Sequence, residues 1–178
     1  MVECQKCLDP TSLGLFLVAV VSFALAFWQL VGQDGAYGLP SGVFFQLIGL
    51  FAIAVAYFAY KAEANFGFVV FGLVGAAVAL TGFGMGAFEN IAFAITFAIA
   101  IVWSIFVKTP KFLSLILVTT TLIFLFVGIA LYIDPNGANF IGANTDYWHW
   151  LIGLAALFNF IFSVYLAFAI ATEKAPAV

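Results

Sequence analysis

Six apolar stretches, residues 13–31, 40–60, 66–84, 88–107, 112–132 and 147–171, take up most of this chain of 178 residues. At ~1.5 Å of rise per residue, a helix built from any of them crosses a hydrocarbon core of ~30 Å. Only 7% of the residues are charged and the mean hydropathy is +1.23, which excludes a water-soluble domain. The fold class that follows is an all-α membrane protein, a bundle of six transmembrane helices over 13–171. A tail of residues 1–12 precedes it and one of residues 172–178 follows. So little chain lies outside the spans that function is expected among the helices themselves.

The charges orient the bundle. The chain has five basic residues, all lysine. Lys6 precedes the first stretch, Lys61 lies between the second and third, Lys108 and Lys111 between the fourth and fifth, and Lys174 after the last. The other three connections carry none. The positive-inside rule then predicts cytoplasmic termini and even-numbered loops, in a multi-pass protein of the cell membrane. The first stretch follows a single lysine and lacks a small-residue cleavage pattern, so it is expected to be a retained helix and not a signal peptide.

The boundaries carry their own signals. Asp9-Pro10-Thr11-Ser12 offers a capping side chain and a proline suited to a first turn. Residues 32–38 (GQDGAYG) form a turn before Pro40-Ser41 opens the second helix, and Asn65-Phe66-Gly67 starts the third. Residues 82–86 (GFGMG) part the third helix from the fourth, and Lys108-Thr109-Pro110-Lys111 part the fourth from the fifth. The longest connection, 133–146, ends at Trp148 and Trp150, which suit the aromatic belt at a membrane surface. Connections this short make consecutive helices antiparallel neighbours.

Several chemistries find no foothold. No basic cluster suggests nucleic acid as a partner. No phosphate loop, nucleophilic triad or His-Cys-acid cluster is visible, so neither an enzyme nor a cofactor is expected. Cys4 and Cys7 form a lone CxxC, and the single histidine, His149, belongs to the opposite membrane face. Four ligands are needed for structural zinc, so no metal is expected. The pair reads as a reduced tail, as a half-site completed by a neighbouring subunit, or as a redox contact.

No Asp, Glu, Lys, Arg or His lies near the middle of any stretch. Glu89 and Asn90 sit at the start of the fourth, where capping, solvation and the helix dipole account for them. Ion-motive pumps and proton-coupled carriers usually hold an intramembrane acid or histidine. Its absence points to a pathway for small solutes. The polar residues that remain are Ser22, Gln29, Gln46, Thr119-Thr120-Thr121, Asn159 and Ser163. The threonines either bond back to their own helix or face the bundle interior. Asn159 either bonds between helices or faces a wet path, because an unpaired amide in lipid costs several kcal/mol. Gly49, Gly67, Gly72, Gly75 and Gly153 permit close helix approach.

The segment Asp9-Pro10-Thr11-Ser12-Leu13-Gly14-Leu15 resembles the N-P-A-P-L-G-L signature of the acetate uptake transporter family, which includes the succinate–acetate permeases. Tyr60-Lys61 with Phe66-Gly67, the basic loop Lys108 through Lys111, and Tyr165-Leu166-Ala167 resemble that family's inner loops and sixth helix, in order. The resemblance implies six spans, assembly as a homo-hexamer, and a path in each protomer for acetate and related short monocarboxylates, sometimes succinate. It also implies an anion mouth at Asp9, Pro10, Leu13, Gly14, Leu15, Phe66 and Gly67. The family narrows its path with apolar or aromatic side chains that fall here on Val18, Val74 and Thr120, so the constriction is expected to be smaller and more polar. Ser22, Thr119 and Asn159 complete the expected path. Asp9 and Ser12 replace the signature's Asn and second Pro, and Ala52 and Ala59 stand where the family has a glutamine and a glutamate.

A carboxylic acid is mostly anionic at neutral pH, its pKa being ~4–5. A path without lysine can pass it if helix-start N–H groups and hydroxyls replace part of its hydration, or if a proton travels on the solute as the neutral acid. The expected function is therefore a channel or proton-linked permease for short monocarboxylates. The alternatives are a channel for a neutral solute such as urea or an amide, and a non-transporting sensor or scaffold.

Overall fold

Lipid offers backbone groups no hydrogen bonds, so a spanning segment must satisfy them within itself. The computed structural model describes residues 10–32, 40–135, 138–139, 142–143 and 146–172. Its six long helices are α1 (Thr11–Leu30), α2 (Gly42–Lys61), α3 (Asn65–Phe83), α4 (Ala87–Val107), α5 (Lys111–Ile133) and α6 (Asp146–Thr172). Each coincides with an expected stretch to within two residues, and each is long and apolar enough to cross a membrane. The chain is a multi-pass membrane protein. One short addition lies in the α5–α6 connection. There β1 (Ala138–Asn139) pairs antiparallel with β2 (Gly142–Ala143), closing the chain on itself above the bundle.

The helix ends follow local chemistry. Ser41 caps α2, its hydroxyl accepting from Phe44 N at 3.2 Å. α3 stops at Gly84, whose φ of 89° is left-handed backbone that glycine adopts without strain. α4 stops at Lys108 with φ 56°, and Pro110, which has no N–H, sets off α5. Asn65 is the first residue of α3, where the third helix was expected to start. Neither Glu89 nor Asn90 caps α4, which opens at Gly86, although Glu89 lies in its first turn.

Packing sorts the helices into pairs. α2 lies closest to α3: a Cβ added at Gly49 would stand 2.6 Å from the Gly75 carbonyl oxygen, and one at Gly75 2.8 Å from the Gly49 oxygen. Further along the same pair Gly42 faces Gly82, and Gln46 Nε2 donates to the Gly82 carbonyl at 3.0 Å. Gly153 of α6 fits beneath Leu30 of α1, while Gly128 of α5 fits beneath Ile91 of α4. Gly67 and Gly72, also expected at close approaches, meet neighbours only at ordinary van der Waals distance. Rings complete the α4–α5 and α5–α6 seams, with Phe97 stacked on Phe124 at 5.5 Å and Phe112 against Tyr165 at 4.4 Å.

α1 and α5 are the most deeply buried spans and α4 the least. Phe51, Phe58, Phe88, Ile95 and Phe106 point outward from α2 and α4, as a lipid-facing surface requires. The end of the bundle that holds Thr11, the α2–α3 and α4–α5 links and Thr172 is called the tail end below; the opposite end is the loop end.

The Gly49–Gly75 crossing opposes backbone to backbone, so neither side can yield. Gly49→Leu should lower the melting temperature in detergent by several degrees, at a cost of roughly 1–3 kcal/mol, whereas Gly72→Ala, with only Ala56 Cβ at 3.9 Å, should melt like the parent. Equal melting of both variants would remove this crossing as the α2–α3 anchor.

Candidate solute path

The α1, α3 and α5 faces that meet inside the bundle do not close completely. A cavity of about 60 Å³ remains, walled by Val18, Val21, Ser22 and Leu25 of α1, Val74, Val78 and Thr81 of α3, and Thr120, Ile123, Phe124 and Val127 of α5. Phe45 of α2, Asn90 of α4 and Asn159 of α6 complete the wall. Val74 and Asn159 are the central residues of their helices, so the cavity reaches mid-span and runs from there toward the loop end. A buried water needs roughly 10–15 Å³ of such space, which leaves room for about four water-sized groups.

Five residues singled out from sequence, Val18, Ser22, Val74, Thr120 and Asn159, share this one wall. Thr119 does not. It is buried, but its hydroxyl donates to the Leu115 and Ile116 carbonyls at 3.0 Å and it lies outside the cavity lining. Thr120 and Thr121 also bond back to their own helix, at 2.8 Å to the Ile116 and Leu117 carbonyls. Thr120 does more: its oxygen accepts from Asn159 Nδ2 at 2.7 Å, across α5 and α6. Ser163 then donates to Asn159 Oδ1 at 3.2 Å. Asn159, only 2% exposed, thus joins two helices and also lines the cavity.

No lining residue is charged. Thr81 donates to the Ala77 carbonyl at 2.9 Å, and Asn90 Nδ2 to the Gly86 carbonyl at 2.8 Å. Among the described residues, neither the Ser22 hydroxyl, which can donate, nor Asn90 Oδ1, which can accept, has a protein partner. Sequence reasoning assigned Asn90 to capping and passed over Thr81. The usable signal was an amide one turn inside an apolar span, together with the spacing 74, 78 and 81 on one helical face.

A second cavity of about 230 Å³ opens at the tail end, lined by Thr11, Phe66, Gly67, Val70, Phe71, Thr109, Pro110, Leu113, Leu166 and Ile170. Phe66 and Gly67, expected at an anion mouth, are here. Leu13 is not: it is exposed on the outer surface of α1. Pro10 opens α1 without lining either cavity, Gly14 and Leu15 are buried beyond the second cavity's wall, and Asp9 lies outside the described residues, as do Cys4 and Cys7. The first turns of α1, α3 and α5 meet at this end, and none has a side-chain cap. Their aligned peptide dipoles favour an anion over a cation there. His149 stands apart, at the start of α6 on the loop end, with its ring beside Trp150.

Six apolar spans around an internal, uncharged and mostly apolar cavity fit a membrane transporter or channel. No family model, no curated protein and no solved structure matches the chain.

Asn159→Leu strips Thr120 of a donor and Ser163 of an acceptor within the membrane, where such bonds contribute about 0.6–1.7 kcal/mol each. The variant should unfold earlier in a detergent or denaturant titration by roughly 1–3 kcal/mol, and Ser163→Ala by less. A variant as stable as the parent would show that α5 and α6 do not depend on this bond.

Proposed function

We propose that the protein conducts acetate and related short monocarboxylates across the cell membrane, as a channel or proton-linked permease with a path in each protomer of a homo-hexamer. The observation that carries this reading is the shared wall. Val18, Ser22, Val74, Thr120 and Asn159, scattered over four helices in sequence, surround one mid-span cavity. The cavity holds a few water-sized groups, the scale of a small solute such as acetate. The resemblance of residues 9–15 to the acetate uptake transporter signature, with Phe66-Gly67 and the Lys108–Lys111 loop in the family's order, supplies the substrate class.

The lysine distribution puts the tail end in the cytoplasm. A carboxylate arriving there meets the starts of three helices, whose dipoles offset part of the hydration it loses. Further in, hydroxyl and amide groups are the only polar partners of the lining, so a charged solute crosses with little compensation for the water it loses. Flux should therefore rise as the outer pH falls and more of the acid is neutral. The same uncharged wall favours a second reading, a channel for urea or a small amide, because Ser22 and Asn90 offer one donor and one acceptor without charge.

Labelled acetate uptake into proteoliposomes, with inner pH near 7 and outer pH varied from about 5 to 8, separates the two. The expected result is uptake above protein-free vesicles, blocked by excess propionate and steepest at low outer pH. Urea flux without acetate flux would favour the second reading. Thr120→Phe should fill the cavity and cut uptake by an order of magnitude, while Thr120→Val, nearly the same shape, should keep most of it. Undiminished uptake in Thr120→Phe would take Thr120 out of the path.

A further inference from the structure

The two cavities lie in line, one reaching in from each end of the bundle, and the same helical faces wall both. On α1 the face runs from Thr11 in the tail-end cavity to Val18 in the mid-span one, with Leu15 between them. On α5 it runs from Leu113 to Thr120, with Leu117 between. On α6 it runs from Leu166 to Asn159, with Ser163 between. On α3 the change is abrupt, because Phe71 belongs to the tail-end wall and Val74 to the mid-span wall. Leu15, Phe71 and Leu117 are each 1% exposed, and Ser163 is fully buried with its hydroxyl turned to Asn159. The two linings are about 10 Å apart along α1, α5 and α6 and about 5 Å apart along α3, and a layer of these packed side chains fills the interval.

The three apolar members of that layer each sit three residues before a position expected to form the constriction. Leu15 precedes Val18, Phe71 precedes Val74 and Leu117 precedes Thr120. The mid-span positions carry small side chains and border open space, while the bulk lies one turn toward the tails. Phe71 is the largest of the three, and α1 is shaped to receive it. A Cβ at Gly14 would stand 2.5 Å from Phe71 Cε1 and 2.7 Å from Cζ, so the ring edge rests on bare α1 backbone. No residue but glycine leaves that seat free.

We propose that Phe71, seated on Gly14 and flanked by Leu15 and Leu117, is the gate of this path and the residue that sets which solutes cross. This rests on the reading of the mid-span cavity as part of a conduction path. The seal is a side chain and not a backbone crossing, so rotation of one ring off α1 joins the two cavities without moving a helix. An apolar layer of this thickness holds back ions and water by withholding hydration, and it yields to a small solute with an apolar end. Size selection then falls to the ring's swing and not to Val18, Val74 or Thr120.

The test compares the parent protein with Phe71→Ala, Phe71→Leu and Gly14→Ala in proteoliposomes, reading acetate uptake and glycerol-driven swelling. Thermal melting confirms that each variant is folded. Phe71→Ala should raise acetate flux on the order of tenfold and admit glycerol, which the parent excludes. Phe71→Leu should fall between them, and Gly14→Ala, which evicts the ring from its seat, should leak in the same direction as Phe71→Ala. Should Phe71→Ala fail to fold, a flux and a glycerol exclusion in Phe71→Leu equal to the parent's overturn the proposal, as does an unchanged Phe71→Ala. Acetate flux alike in parent and variants removes the gate and keeps the carboxylate reading. Glycerol leak through Phe71→Ala with no acetate flux in either protein keeps the gate and removes that reading.

Discussion

Everything in this molecule follows from the inability of lipid to hydrogen-bond. Backbone groups are satisfied inside six helices, and side-chain groups have to find partners inside the bundle or face enclosed space. The polar residues of the spans obey this closely. Thr120, Asn159 and Ser163 form one chain of bonds between α5 and α6, Gln46 reaches the Gly82 carbonyl, and Thr81, Thr96 and Thr121 return to their own helices. Ser22 and Asn90 Oδ1 are the groups that face the cavity without a protein partner, and the cavity is where a guest could supply one.

Close packing elsewhere creates that cavity. Glycines draw α2 onto α3 and α5 onto α4 in near backbone contact, and one seats α6 beneath the Leu30 side chain of α1. α1, α3 and α5 are thereby held by their partners and not by one another. They run in the same direction and face a common axis across side chains alone. Where those side chains are small, at Val18, Val74 and Thr120, space is left. Where they are large, at Leu15, Phe71 and Leu117, it closes.

The electrical character of the axis is equally spare. Among the described residues no charge lines either cavity, and the favourable field for an anion comes from three helix starts at one end. The field at that end favours negative over positive charge and fades toward the centre. The centre itself is bounded by apolar side chains with a few hydroxyl and amide groups among them.

Hydropathy and length were enough to read the six spans, their boundaries to within two residues, and the antiparallel order that the short links impose, because these are local properties of the chain. Residue type alone also marked Asn159 and Thr120 as costly in lipid, and so as interior. What sequence could not decide is which interior groups meet. The Asn159–Thr120 bond spans 39 residues, Phe71 finds Gly14 across two helices, and the open side of Asn90 depends on α4 closing over the axis. Where the axis is open and where it is packed shut was hidden for the same reason. Single-helix periodicity gives the face of a residue, but whether that face meets a neighbour or a void is set by how near the other helices are allowed to come.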